Sequence, residues 1–190
     1  SQFERIPDLV GAVLDHYGRI DILVNNAGAS WGAPAEDYPF EAWMKVINLN
    51  VNGMFFLTQE VGRRAFIPQR SGKVIVTASI AGLRGNPPHM PTIAYNAAKG
   101  ADVNFVRALA AEWGRYNIRT NSICFGVVET PMTEVVRGEK FRDGMLAQIP
   151  LGRWSTPGEV VKSVCFLLSD GSSYITGQHL GVNGGFHISL

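Results

Sequence analysis

Two segments of this chain, Asp21-Ile22-Leu23-Val24-Asn25 and Lys73-Val74-Ile75-Val76-Thr77-Ala78-Ser79, are short and continuously apolar. Runs of that length and character suit strands buried in a parallel sheet. Between and around them the apolar residues recur at helical spacing. Ile6-Leu9-Val10-Val13-Leu14 is the first such pattern, ended by Gly18, and a longer one runs from about Phe40 to Phe66, with Pro68 expected to stop it. A second long helix is expected from about Thr92 to Tyr116, then a third strand over Ile118 to Cys124. The polar segment from about Glu129 to Arg142 reads as a mobile lid, Pro157 opens a helix to Leu168, and Gln178 to Val182 closes the sheet. Helix and strand alternate throughout, which predicts an α/β fold with a parallel sheet. No repeat, low-complexity tract or linker divides the chain, so residues 1–190 read as one domain.

Bulk properties exclude several classes of partner. The 190 residues are 46% hydrophobic and 17% charged, with a formal net charge of +1. That supplies one sizeable core and no electrostatic bias towards nucleic acid or an anionic membrane. Cys124 and Cys165 each sit in an apolar run without a Cys or His at metal-ligand spacing. Both are therefore expected to be reduced core thiols, and no metal site is expected. No apolar run approaches the ~18 residues of a membrane span. The N-terminal Ser1-Gln2-Phe3-Glu4-Arg5 lacks the basic-then-apolar order of a signal peptide, so a cytoplasmic protein is expected.

Chemistry concentrates in Tyr95-Asn96-Ala97-Ala98-Lys99. A phenol and an ammonium four residues apart on a helix lie one turn apart on one face, and the cation favours the ionised phenol. Tyr95 becomes a candidate acid/base. Ser79, at a strand end sixteen positions earlier, supplies a hydroxyl that could hold a substrate oxygen beside it. Taken alone, the Tyr and Lys pair is weak, because many amphipathic helices carry it for packing and solubility.

The ordered series around the pair is more specific. Asn25-Asn26-Ala27-Gly28 follows an apolar strand, Asn50 lies in the following helix, and Ser79 ends the next strand. Tyr95 and Lys99 come next, then Phe125-Gly126-Val127-Val128-Glu129-Thr130. In motif, order and spacing the chain resembles the short-chain dehydrogenase/reductase family over nearly its whole length. The resemblance implies a Rossmann-like doubly wound sheet and an NAD(P)-dependent oxidoreductase interconverting a secondary alcohol and a ketone. The similarity is strongest to members that are gluconate 5-dehydrogenases or 3-oxoacyl-carrier-protein reductases, which share Ala81-Gly82-Leu83-Arg84-Gly85 and the context of Tyr95.

The resemblance also implies residue roles. Asn50, Ser79, Tyr95 and Lys99 would be catalytic, Lys99 binding the nicotinamide ribose and the backbone carbonyl of Asn50 linking Lys99 to solvent through a water. Asn26, Ala27 and Gly28 would lie against the adenosine ribose, and Gly126, Val128 and Thr130 against the nicotinamide. Either NAD or NADP would serve as cofactor. Each residue also has a plainer reading. Asn25 and Asn26 suit a turn, Ser79 suits the cap of the next segment, and Lys99 suits a solvated helix face. Three Asn residues within Asn48 to Asn52 are locally unfavourable in a helix and mark a bend or a site. The loop Asn86-Pro87-Pro88-His89-Met90-Pro91 is expected to line the substrate pocket, with His89 and Met90 as candidate contacts.

Two departures from the family pattern stand out. Phe125 precedes Gly126 where Pro is usual, and Asn183 replaces the commoner Asp in Val182-Asn183-Gly184-Gly185. The expected first strand, glycine-rich turn and second strand are also missing, so the chain reads as the C-terminal part of the domain, short of some 70 residues. An alternative follows: a catalytically silent truncated fragment serving only as a binding or dimerising module. A small-molecule alcohol or ketone is the expected substrate. The terminal strand edge and the tail Phe186 to Leu190 are expected to pack against a neighbouring subunit in a homodimer or homotetramer.

Overall fold

The computed structural model describes residues 2–187. Four strands form one sheet in the order β1 (Ile22–Asn25), β2 (Gly72–Ser79), β3 (Ile118–Phe125) and β4 (His179–Val182). Every neighbouring pair is parallel, and the register sets Asn25 beside Val76 and Ser79 beside Phe125. All four carboxyl ends therefore emerge at one edge of the molecule.

Alternation along the strands divides two cores, because successive side chains point to opposite faces. Val74 and Val76 of β2 pack with Val10, Met54, Val61 and Val106 on one face. These come from α1 (Ile6–Tyr17), α3 (Met54–Val61) and α5 (Ile93–Trp113). Ile75, between the two valines, packs on the other face with Ile123 and Leu167 of α8 (Pro157–Leu168). The result is helix, sheet and helix in three layers. β1 is the exception to burial: Ile22 and Val24 are 43% and 42% exposed, so this edge is apolar and open among the described residues.

Local chemistry explains the helix ends. Gly18 stops α1 with φ at 75°, its N–H bonded to Leu14 O at 2.8 Å. At α8, Thr156 and Glu159 form a capping box over Pro157, and the Arg153 guanidinium on Glu159 holds that carboxyl down to about 2. The other end of α8 is closed by cations, Lys73 Nζ reaching Leu168 O at 2.6 Å and Arg119 reaching Leu167 O at 3.1 Å.

The long helical stretch after β1 is interrupted twice. It runs through α2 (Phe40–Ile47), a π-helical segment Asn48–Gly53, α3, a second π-helical segment Gly62–Phe66, and α4 (Ile67–Gln69). Pro68 lies inside the last turn rather than stopping the helix before it, and the chain leaves through a left-handed Arg70. Proline has no N–H to give and crowds the preceding turn, and the widened π segment before it relieves both demands. The segment expected to be a mobile lid carries helices, α6 (Glu134–Arg137) followed by α7 (Glu139–Leu146). Cys124 is buried, and burial pushes its thiol up, whereas Cys165 is exposed on the outer side of α8 and belongs to no core. Val160 and Leu167 take the inward stripe of that helix, which leaves Cys165 to solvent. Phe186 also departs from expectation: it is buried within its own chain against Ile80, Val127 and Met145, while Ile188 to Leu190 lie outside the described residues.

One backbone contact fixes the spacing of sheet and helix. After Ser79 the chain makes a single tight turn, Ile80–Gly82, that presses on α5. A Cβ on Gly82 would lie 2.3 Å from the Lys99 carbonyl oxygen and 3.0 Å from the Gly100 nitrogen, both backbone atoms that cannot swing aside. Gly82→Ala is expected to destabilise the protein by roughly 1–3 kcal/mol, the range for overpacking. Gly85→Ala, with nothing within 4 Å of the added carbon, is expected to stay within about 0.5 kcal/mol. Urea unfolding of the two variants checks this; equal midpoints would remove the contact from the account of the fold.

Candidate active site

Parallel strands leave a crevice at their carboxyl ends, where ligands bind in open α/β sheets. Here that edge presents Asn26-Ala27-Gly28 after β1, Ser79 at the end of β2 and Gly126 after β3, with the N-terminal half of α5 across them. Nine of the predicted residues line one cavity of about 520 Å³: Asn26, Ala27, Gly28, Ser79, Tyr95, Lys99, Gly126, Val128 and Thr130. Asn50 does not; it sits behind, 2% exposed.

Asn50 ties the segment after β1 to the π-helical turn. Its Oδ1 accepts from Ala29 N–H at 3.0 Å and its Nδ2 donates to Ala29 O at 2.8 Å. A Cβ on Gly28 would lie 2.7 Å from Asn50 Oδ1, so Gly28 is glycine because Asn50 approaches it. Asn52 bonds Asn48 across the same turn at 2.8 Å. Poor helix formers thus gain side-chain partners that only the widened turn provides.

Ser79 keeps its plainer role too. Its Oγ accepts from Ala81 N–H at 3.1 Å, capping the tight turn and leaving the hydroxyl hydrogen free to point into the cavity. Asn96, which the sequence reading passed over between Tyr95 and Lys99, clamps the next loop: its Nδ2 donates to Ala81 O at 3.0 Å and Arg84 O at 3.1 Å. The signal was an Asn in the first turn of a helix, where its side chain can bond nearby backbone.

Lys99 is 6% exposed. Its Nζ donates to Thr77 O at 2.6 Å and to Asp102 Oδ2 at 2.8 Å, and lies 5.7 Å from the centre of the Tyr95 ring. Asp102 is the residue that sequence reasoning missed, although Lys-Gly-Ala-Asp has the spacing of an ion pair on one helix face. Burial pushes the Asp102 carboxyl up, opposed by the Lys99 charge.

The far wall is backbone. Ser155 N–H donates to Val127 O and Glu129 N–H to Ser155 O, which pairs the Val128 segment with Ser155 where it lines the cavity, and the Val128 carbonyl accepts from the Thr133 hydroxyl. Gly126 passes so close to Asn183 that a Cβ would meet its Cα at 2.9 Å, which holds the turn even with Phe125 in place of Pro. The Lys99 ammonium, the Tyr95 phenol and the Thr130 hydroxyl, all lining this cavity with Val128, suit a nicotinamide riboside in their donor set.

A second lobe of about 140 Å³ opens from Ser79 and Tyr95 towards Arg84, Met90, Met145 and Phe186. Met90 lines it as expected. His89 does not; it stacks on Phe141 at 5.7 Å between ring centres. Among the described residues no cluster of three or more His, Cys, Asp or Glu could hold a metal, and no helix is long and apolar enough to cross a membrane.

Comparison with known proteins agrees with this geometry. Residues 1–187 match the family described as enoyl-(acyl carrier protein) reductase. The chain is 42% identical to a 3-oxoacyl-acyl-carrier-protein reductase of Thermotoga maritima over 97% of its own length and 73% of that protein. It is 37% identical to gluconate 5-dehydrogenase of Gluconobacter oxydans over 98% of its length and 72% of the relative. The crystal structure of a gluconate 5-dehydrogenase from Burkholderia cenocepacia, in complex with NADP and tartrate, superposes with a TM-score of 0.94 at 30% identity, covering 100% of this chain and 73% of that one. With its parallel sheet, its crevice and these relatives, the chain belongs to the short-chain dehydrogenase/reductase family.

Proposed function

We propose that the protein interconverts a secondary alcohol and a ketone with NAD or NADP, Tyr95 serving as the acid/base. The observation that carries this reading is the convergence of Ser79, Tyr95 and Lys99 on one cavity that Val128 and Thr130 also line. When bound, the nicotinamide ring supplies or accepts the hydride at the reacting carbon. For reduction, the Ser79 hydroxyl donates a hydrogen bond to the substrate carbonyl oxygen, and Tyr95 Oη delivers its proton to that oxygen. Lys99 holds positive charge beneath the phenolate that remains and donates its free N–H to ribose hydroxyls. Oxidation runs the same transfers in reverse. Asn26, Ala27 and Gly28 border the adenosine side, Val128 and Thr130 the carboxamide, and Asn50 keeps the segment after β1 in place.

The second lobe bears on the substrate. Arg84 is the one charged side chain lining it, and its guanidinium donates at 3.3 Å to Phe186 O, Gln148 Oε1 and Gly85 O, all neutral. No carboxylate pairs with it among the described residues. An unneutralised guanidinium in a partly apolar lobe favours an anion. The Burkholderia relative holds tartrate, itself a dicarboxylate. We read the substrate as an oxo acid or hydroxy acid, and the protein as cytoplasmic and oligomeric, the β4 edge pairing across a two-fold axis.

Three outcomes test these readings in the protein at its full natural length. Tyr95→Phe is expected to lose more than ~100-fold of turnover, the share of a positioned acid/base; turnover kept at the parent level would sink the mechanism. Arg84→Gln is expected to raise KM for a carboxylate-bearing ketone about tenfold relative to its methyl ester, the effect of losing one charge-assisted hydrogen bond. An unchanged ratio would remove the acid from the substrate class. Light scattering is expected to report a dimer or larger, and a monomer at working concentration would overturn the assembly.

A further inference from the structure

We infer that Asp102 is a positioning residue of this site: its carboxylate fixes the Lys99 ammonium beneath Tyr95 and, through its opposing charge, sets the pH range in which Tyr95 exchanges a proton. The inference rests on the acid/base role read for Tyr95 above.

Geometry comes first. Two of the three ammonium hydrogens of Lys99 are committed, one to Thr77 O of β2 at 2.6 Å and one to Asp102 Oδ2, one helical turn on, at 2.8 Å. The two acceptors stand on different elements, so Nζ is held between sheet and helix and its third hydrogen is left for the cavity side. Without Asp102 the ammonium would hang from a single carbonyl at the end of a four-carbon stem.

Energetics point the same way. Asp102 is 1% exposed, and its Oδ1 has no hydrogen-bond partner among the described residues. Burial raises its carboxyl more than Lys99 lowers it, so desolvation outweighs the pairing. An apolar side chain would cost less there, as Val103 and Val106 in the same stretch of α5 illustrate. The one hydrogen-bond partner of the Asp102 carboxylate among the described residues is Lys99.

Among the described residues, the groups around the pair are the Tyr95 phenol of α5, the Cys124 thiol of β3, which feels Lys99, Asp102 and, beyond them, Arg107, the neutral Asn50 amide of the π-helical turn and the Thr77 carbonyl of β2. The Lys99 charge stabilises a Tyr95 phenolate, and the Asp102 charge opposes it. Replacing Asp102 with Asn keeps shape and acceptor, removes the opposing charge, and so favours the phenolate further. The acid limb of kcat/KM for alcohol oxidation should then move to lower pH.

The experiment uses the protein at its full natural length with nicotinamide cofactor and any alcohol it oxidises. Asp102→Asn is expected to shift the acid limb down by about one pH unit, the scale of one nearby buried charge. Asp102→Leu, which removes the tether as well, is expected to lower kcat at its own optimum about tenfold or more and to raise KM for the cofactor, through loss of orientation. A limb within about 0.2 pH units of the parent in Asp102→Asn, or a parent-like kcat in Asp102→Leu, overturns the inference. If neither variant folds, the parent protein decides. Its Lys99 ammonium 15N signal is expected to persist at neutral pH, protected by two acceptors, and its absence overturns the inference. Tyr95→Phe separates the two levels: retained turnover there removes the acid/base reading itself, whereas lost turnover with an unmoved Asp102→Asn limb removes only the role of Asp102.

Discussion

Where the turn after β2 crosses α5, two backbones touch, and the site depends on that contact. Ser79 comes from the sheet and Tyr95 and Lys99 from the helix, so their separation is set by how closely the layers approach. Layer spacing is normally governed by side chains of varied size and some give. Here Gly82 rests directly on the Lys99 and Gly100 peptides, and neither side can yield. Asn96 completes the arrangement by bonding the carbonyls of Ala81 and Arg84 on either side of the contact. A hydroxyl and a phenol carried by different elements thereby acquire a fixed relation before any ligand binds, which is what preorganised catalysis requires.

A second constraint lies beneath it. The helix that follows β1 widens at Asn48–Gly53, where Asn50 turns its amide onto the Ala29 peptide. That pair of bonds anchors the segment Asn26-Ala27-Gly28 to a helix rather than leaving it as a free loop. The same segment faces the cavity with its other side. The cost of a distorted helix is offset by satisfied buried polar groups, and the cavity-facing backbone gains rigidity.

How much of this was legible in the sequence follows from the range of each interaction. Strands β1 and β2 were readable as short apolar runs, although β1 lies at an open edge, and α8 because Thr156-Pro157-Gly158-Glu159 is a local capping signal. Nine cavity-lining residues were named from the family resemblance, and the parallel sheet brings them together by carrying their strand ends to one edge. Asp102 was not, since a carboxylate three residues after a lysine looks the same on a solvated face as in a core. The packing role of Gly82 was not legible because it is a contact with residues seventeen and eighteen positions away. The helical form of Glu134 to Leu146 was missed because its polar composition describes an exposed surface, and exposure leaves backbone conformation open. Phe186 was assigned to a neighbour because an apolar tail needs a partner, and the sequence does not say that Ile80, Val127 and Met145 supply one in the same chain.

The two cations of the cavity differ in one respect that separates their work. Lys99 is nearly inaccessible and already bonded to a carbonyl and a carboxylate, so its charge is largely spoken for within the protein. It acts at short range, on the ring above it. Arg84 is half-buried, stacks on Phe186 at 4.9 Å and meets only neutral acceptors, so its charge is unanswered. A compensated cation tunes a neighbouring proton without drawing anions into the reacting centre, whereas an uncompensated one at the other end of the lobe attracts them. Placing Asp102 behind Lys99 and nothing behind Arg84 thus gives the cavity a direction. On the function proposed above, an anionic group would bind at the Arg84 end and the reacting carbon would lie beside Ser79 and Tyr95, which line the same lobe.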